Sequence, residues 1–252
     1  MNLLRSDQST LTVDQWNLLS NLSHCYDENA GLAMGGNYMS EQNNLLFNLR
    51  FQSSSIKPLY QLMLDATQSL YSKNRDFLSL STEDRSILLH STLTHTGGIS
   101  SNFICHQIQL LSYSAYYDAV AIIASPTISS IARRFASRLN FDMNVMKLFL
   151  AILSFSTFRC VAFPSTSSAN LSNVQEVLRI QDRYIELTWR YLLYTYNHEQ
   201  AVKCFSDFIR CIFVTNEALI EAQEIQWFTS TIDSIVERTE QSLSLNDEAL
   251  SA

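Results

Sequence analysis

Between Ser165 and Ala252 the chain contains neither glycine nor proline, and this run restricts the fold more than any other feature. An all-β domain needs turn residues every ~8–12 residues, and nothing here supplies them. Long helices tolerate the absence of both breakers easily. The whole chain holds five glycines (31, 35, 36, 97, 98) and three prolines (58, 126, 164). Hydrophobic residues make up 46% of it and aromatics 11%, enough for a sizeable core. An all-α domain is expected over residues 11–240, between polar tails at 1–10 and 241–252.

Charge narrows the partners. A formal net charge of −7 with only 17 Lys+Arg argues against general affinity for nucleic acid or an anionic membrane. No apolar run approaches the ~18–20 residues of a membrane span, and Lys147 interrupts the longest, Val145 to Phe155. The N-terminus lacks the apolar core of a secretory signal. Five cysteines (25, 105, 160, 204, 211) are odd in number and form no CxxC, which fits free thiols in a reducing compartment. Nucleus or cytoplasm is expected.

Helix signals recur along the chain. Thr12 and Gln15 form a capping box ahead of Trp16, Leu19 and Leu22. Ala30 to Gln52, rich in Gly, Asn and Ser, reads as a long loop, and Pro58 as the start of a helix to Leu70. Ser81 starts the next helix, and Gly97-Gly98 reads as an interruption of it. Ile99 to Leu111 is apolar on all sides, which predicts a central helix flanked by outer elements. A helix after Pro126 carries Arg133, Arg134 and Arg138, read as a solvated face with an anion or partner site as the alternative. Asp142 caps a helix with Val145, Met146, Phe149, Ile152 and Leu153 inward, and Phe163 to Asn170 reads as a Ser-rich loop.

The C-terminal third is the most regular. Ser172 and Gln175 form a second capping box, before a stripe of Val174, Val177, Leu178, Gln181, Tyr184, Ile185 and Thr188. Glu186 is spaced to pair with Arg190. After Asn197-His198 the period resumes at Val202 and continues to Trp227, predicting one uninterrupted helix.

Catalytic patterns are missing. His90 and His95 are five apart and so off one helical face, and the adjacent Cys105 and His106 point to different faces. No GxSxG, HExxH or phosphate-binding loop occurs. No metal, cofactor or catalytic residue is assigned; binding is the expected activity.

One segment is more specific. Phe77, Leu80, Asp84, Leu88 and Leu89 fit FxxLxxxDQxxLL, with Arg85 in place of Gln. This pattern resembles the signature of the nuclear receptor ligand-binding domain. Residues 12–28 are similar to that family's first helix, 141–156 to its eighth, and 173–228 to its ninth and tenth, so the resemblance covers about residues 11–230. It implies an antiparallel three-layer helical sandwich of about ten to twelve helices, with an apolar cavity for a lipophilic small molecule. On the family pattern, Ile56, Leu59, Tyr60 and Met63 would face Leu93, Thr94, Gly97, Ser101 and Ile104 across that cavity, or the same residues fill the core. Tyr60, Thr94 and Ser101 are then the polar groups that orient a ligand. Ile104 stands where several members carry a carboxylate-binding Arg, so a neutral ligand or none is expected.

The resemblance also implies coregulator and dimer surfaces. The family clamps LxxLL helices between a Lys and a Glu on a mobile final helix. Here the Lys position is Ser72, with Lys73 one step round the helix, and His90 follows the Leu pair. The nearest match to the final helix is Ser234 to Thr239, with Glu237 in place but Arg238 and Thr239 where apolar residues dock. Coregulator recruitment is therefore expected to be weak or absent. The family's zinc-binding DNA module needs CxxC pairs that this chain lacks, so direct DNA binding is not expected. Cys204, Phe208, Cys211, Thr215 and Ala218 are the candidates for an outward face of the last helix, forming a homo- or heterodimer with another nuclear receptor. A transcription regulator with a lipophilic ligand is the leading expectation. The alternative is a ligand-independent module that sequesters a full-length receptor.

Overall fold

The computed structural model describes residues 11–26, 28–156 and 170–251. The expected N-terminal tail, Cys160 and nearly all of the Ser-rich loop lie outside these residues. Among the described residues twelve α-helices run in the order α1 (Val13–Cys25), α2 (Glu28–Asn43), α3 (Ser53–Ala66), α4 (Ser69–Ser72), α5 (Arg75–Leu78), α6 (Thr82–Gln107), α7 (Ser114–Ile123), α8 (Pro126–Phe135), α9 (Met143–Ser154), α10 (Val174–Thr195), α11 (His198–Ala222) and α12 (Gln226–Ser251). Among the described residues there is no strand, and none of the helices is long and apolar enough to cross a membrane.

Caps set most of the boundaries. Thr12 makes the full capping box with Gln15, and Ser81, Ser125, Asp142 and Asn197 each accept a backbone N–H of the first turn. Asn173, not Ser172, caps α10 through the Glu176 N–H. Ser172 is diverted to Asp84. The Glu186–Arg190 pair forms at 2.9 Å.

Glycine accounts for two corrections. The segment expected to be a loop after Ala30 is mostly α2, and α6 passes through Gly97-Gly98 without a break. A Cβ at Gly31 would lie 2.7 Å from Ile104 Cδ1, one at Gly35 2.9 Å from Ile108 Cγ2, and one at Gly97 2.9 Å from Leu64 Cδ2. These glycines let neighbouring helices approach; they do not turn the chain. Pro58 lies inside α3, which starts at Ser53 and ends at Ala66. The run expected to be one helix to Trp227 divides after Ala222, and α12 continues to Ser251, through the expected C-terminal tail.

Helix α6 is central. It packs against α2, α3, α9, α11 and α12, and its buried residues lie all round its circumference. Several of its buried polar groups are paired sideways: Tyr71 Oη meets Thr92 and Thr96 Oγ1 at 2.8 Å each, Tyr26 Oη meets Ser100 Oγ, and His95 Nε2 meets Asn216 Oδ1 at 2.6 Å. Helix α9 is also buried from Val145 to Ser154 and includes Lys147, whose ammonium is pushed down to about 8 by burial. On α10 the inward stripe is Val177, Ile180, Tyr184, Leu187, Thr188 and Tyr191; Val174, Leu178 and Ile185, expected to be inward, are exposed.

The signature residues all lie at one junction. Phe77, Leu80, Leu88 and Leu89 are buried, with the Phe77 ring against Tyr71 and Phe155. Asp84, in the first turn of α6, accepts from Ser172 N at 2.6 Å, Ser172 Oγ at 2.7 Å and Asn173 N at 3.2 Å. Arg85, in the Gln position, is buried and donates through Nη2 to Thr82 Oγ1.

Burial pushes the Asp84 carboxyl up, but the hydrogen bonds from Ser172 and Asn173 outweigh it and leave it below its ordinary 3.8. A depressed carboxyl contributes stability above the unfolded pKa and loses it as pH falls through the folded one. The protein should therefore lose this contribution only below about pH 3.8. Asp84→Asn should cost about 2 kcal/mol at neutral pH, as expected for hydrogen bonds to a charge. Urea titrations of both proteins across pH check this; equal stability at pH 7 would count against it.

Candidate ligand-binding cavity

A cavity of about 100 Å³ lies between α3, α6, α7, α8, α11 and the start of α12. Its walls are Tyr60 and Leu64 from α3, Gly98, Ser101 and Asn102 from α6, and Val120 and Ile123 from α7. Ile128, Ile131, Ala132 and Phe135 come from α8, and Thr215, Ala218, Leu219 and Ala222 from α11. Ile225, Trp227 and Phe228 close one side. Space remains because Gly98, Ala132, Ala218 and Ala222 present little volume where helices would otherwise interlock. Trp227 is held by its indole N–H, which donates to the Ile123 carbonyl at 2.7 Å.

The lining has no charged side chain, and most of its polar groups are occupied. Tyr60 Oη is bonded to Tyr116 Oη, and Thr215 Oγ1 donates to the Cys211 carbonyl at 2.9 Å. Burial raises Tyr60 and Tyr116 well above 10 and pushes the neighbouring Cys105 thiol up to about 12, so all three stay neutral at pH 7. Two groups differ. Ser101 Oγ and Asn102 Oδ1 are buried with no hydrogen-bond partner among the described residues. The Asn102 amide N–H donates to the Gly98 carbonyl at 2.8 Å, which turns Oδ1 away from that carbonyl. An apolar, uncharged lining of this kind favours a neutral occupant over a charged one.

Of the residues expected to line a cavity, only Tyr60 and Ser101 do so. Ile56, Leu59, Met63, Leu93 and Ile104 belong to the core, and Gly97 is taken up by the close approach of Leu64. Thr94 is buried beside His95, 3.5 Å from its Nδ1. The α7, α8 and α11 lining was not anticipated. Ile128, Ile131, Ala132 and Phe135 show helical spacing in the sequence, but spacing does not reveal what a face opposes.

The coregulator positions are scattered. Ser72 ends α4, Lys73 is exposed with its carbonyl accepting from Cys25 Sγ, and Glu237 is exposed on α12. His90 Nε2 lies 3.2 Å from Glu240. Helix α12 covers the surface formed by α3, α4 and the start of α6, through Gln61–Thr231, Asp65–Arg238 and Ser86–Glu240 contacts. Thr239, expected to be unsuited to docking, is fully buried, its hydroxyl satisfied by the Ile235 carbonyl.

The dimer candidates are corrected outright. Cys204, Phe208, Cys211 and Thr215 are buried: Phe208 stacks on Phe149 at 3.8 Å, and Cys211 is completely enclosed. The opposite stripe of α11 (Val202, Ile209, Phe213, Ile220) is exposed. With Ile185, Trp189 and Phe205 most of it forms a shallow apolar groove between α10 and α11. Compared with protein-family models and with curated proteins, the chain matches none.

Removing the Ser101 hydroxyl takes away a buried group without a partner and adds a better helix former. Ser101→Ala should leave stability unchanged or raise it by up to about 1 kcal/mol. Chemical denaturation checks this, and a clear loss would mean that the hydroxyl is bonded in the folded protein.

Proposed function

We propose that this chain is a nuclear receptor-type ligand-binding domain that regulates transcription by binding a neutral lipophilic molecule in the α3–α6–α8–α11 cavity. The observation that carries this reading is an apolar, uncharged cavity walled by six helices, with two polar atoms on the central one that have no partner among the described residues. Helix α6, buried all round, suits the middle of a three-layer sandwich, and the signature residues converge on a single junction. The absence of any lining cation favours neutral ligands over carboxylates. With α12 lying over α3, α4 and α6, recruitment of coregulator helices is weak.

Native mass spectrometry of the purified chain should show a bound neutral lipophile. Ala132→Phe, which fills the cavity from α8, should abolish the added mass while far-ultraviolet circular dichroism stays helical. A chain with no added mass, before or after exposure to a lipid extract, would overturn the reading.

A second reading, a dimerising module, is favoured by the exposed α10–α11 groove, because apolar stripes of this kind mark protein interfaces. Its partner would be a second copy of the chain or another receptor of the same fold. Phe213 is 67% exposed, so Phe213→Glu should not disturb the monomer. Wild type should sediment as a dimer at micromolar concentration and the variant as a monomer. A monomeric wild type would count against this reading.

A further inference from the structure

We infer that the α6 wall of the cavity is built to hold an aliphatic hydroxyl, so that the ligand is an alcohol and neither a hydrocarbon, a ketone nor an acid. This inference rests on the proposed reading that the cavity binds a lipophile, and deepens it to a ligand class.

One rule holds for the other buried helical hydroxyls among the described residues: each has a partner, as Ser100 has in Tyr26, Ser129 in the Tyr117 carbonyl and Ser154 in the Ala151 carbonyl. Thr92, Thr96, Thr188, Thr215 and Thr239 each donate to the carbonyl four residues earlier, at 2.6 to 3.1 Å. Ser101 departs from it. It is completely buried, on the cavity wall, and its Oγ has no partner among the described residues. Asn102, next to it and on the same wall, spends its amide N–H on Gly98 and keeps Oδ1 without a donor. Buried polar atoms left unpaired are costly, and two on one cavity wall point to a ligand group that completes them.

The unmet requirements define that group. Asn102 Oδ1 accepts only, so the ligand must donate a proton to it. The Ser101 hydroxyl both donates and accepts. A ligand hydroxyl donates to Oδ1 and accepts from Ser101. A ketone accepts from Ser101 but leaves Oδ1 unmet, and a hydrocarbon leaves both. A carboxylate would face Oδ1 with no cation in the lining to offset its charge. The cavity, about 100 Å³, is smaller than one that holds benzene, ~150 Å³. It therefore suits a compact alcohol or the hydroxyl-bearing end of a longer aliphatic chain.

Titration calorimetry on the full chain with 2-propanol and acetone tests this, because both are smaller than benzene, differ little in size and differ in the ability to donate. Wild type should bind the alcohol at least tenfold more tightly. Asn102→Leu should bring the two within about twofold of each other by removing the acceptor. Ser101→Ala, which is expected to fold normally, should weaken binding of both and leave the preference for the alcohol in place, because both accept from that hydroxyl while only the alcohol also donates to Asn102. A 1-decanol arm separates the two sources: binding tighter than 2-propanol assigns a long-chain alcohol, and weaker binding a compact one. Equal affinity of wild type for 2-propanol and acetone, or binding of neither, overturns the hydroxyl assignment. If a lipophile is nonetheless retained in the mass spectrum and lost in Ala132→Phe, the cavity reading survives that failure.

Discussion

The Asp84 carboxylate holds together the two parts of the chain that carry everything else. It sits in the first turn of α6 and receives the Ser172 and Asn173 N–H groups at the start of α10, 88 and 89 residues away in sequence. A negative charge there meets the positive ends of two helix dipoles at once. Around it Phe77, Leu80, Leu88 and Leu89 are buried, so polar anchor and apolar packing fix the same junction. Once α6 and α10 are registered, α9 lies between them and α11 follows α10 across the Asn197 cap.

A central helix buried on every side cannot be uniformly apolar when its sequence is rich in Thr, Ser and His. The protein resolves this by pairing most of these polar groups with a specific neighbour. Tyr71 takes two threonines, Tyr26 takes Ser100, and Asn216 takes His95. Buried polar networks of this kind specify one packing, because any shift leaves a group unsatisfied. Against that pattern the unmet Ser101 and Asn102 atoms stand out. The departure lies on the wall of a cavity that small residues on α8 and α11 leave unfilled.

The two outer surfaces differ in how they are finished. Over α3, α4 and α6 the long α12 is seated by buried Ile235, Val236 and Thr239 and by ion-paired Arg238 at its edge. This surface is closed by the chain itself. Between α10 and α11 nothing covers Val202, Ile209 and Phe213 among the described residues. In the reading proposed above, the first surface limits recruitment of partner helices and the second accepts a partner domain.

Much of the fold was legible from local chemistry. The missing breakers after Ser165, the caps at Thr12, Ser81 and Asp142, and the apolar run after Ile99 determined helices and a central one among them, because capping and periodicity act within a few residues. What the tertiary structure decided is which face of each helix meets which neighbour. The glycines at 31, 35 and 97 looked like breakers and serve as close contacts with Ile104, Ile108 and Leu64, which lie far away in sequence. Both stripes of α11 are apolar, so periodicity could not say that Phe208 and Cys211 face in while Phe213 faces out. The cavity has the same origin. It is the volume left where α8 and α11 fail to interlock with α3 and α6, a property of packing between distant segments that no single segment encodes.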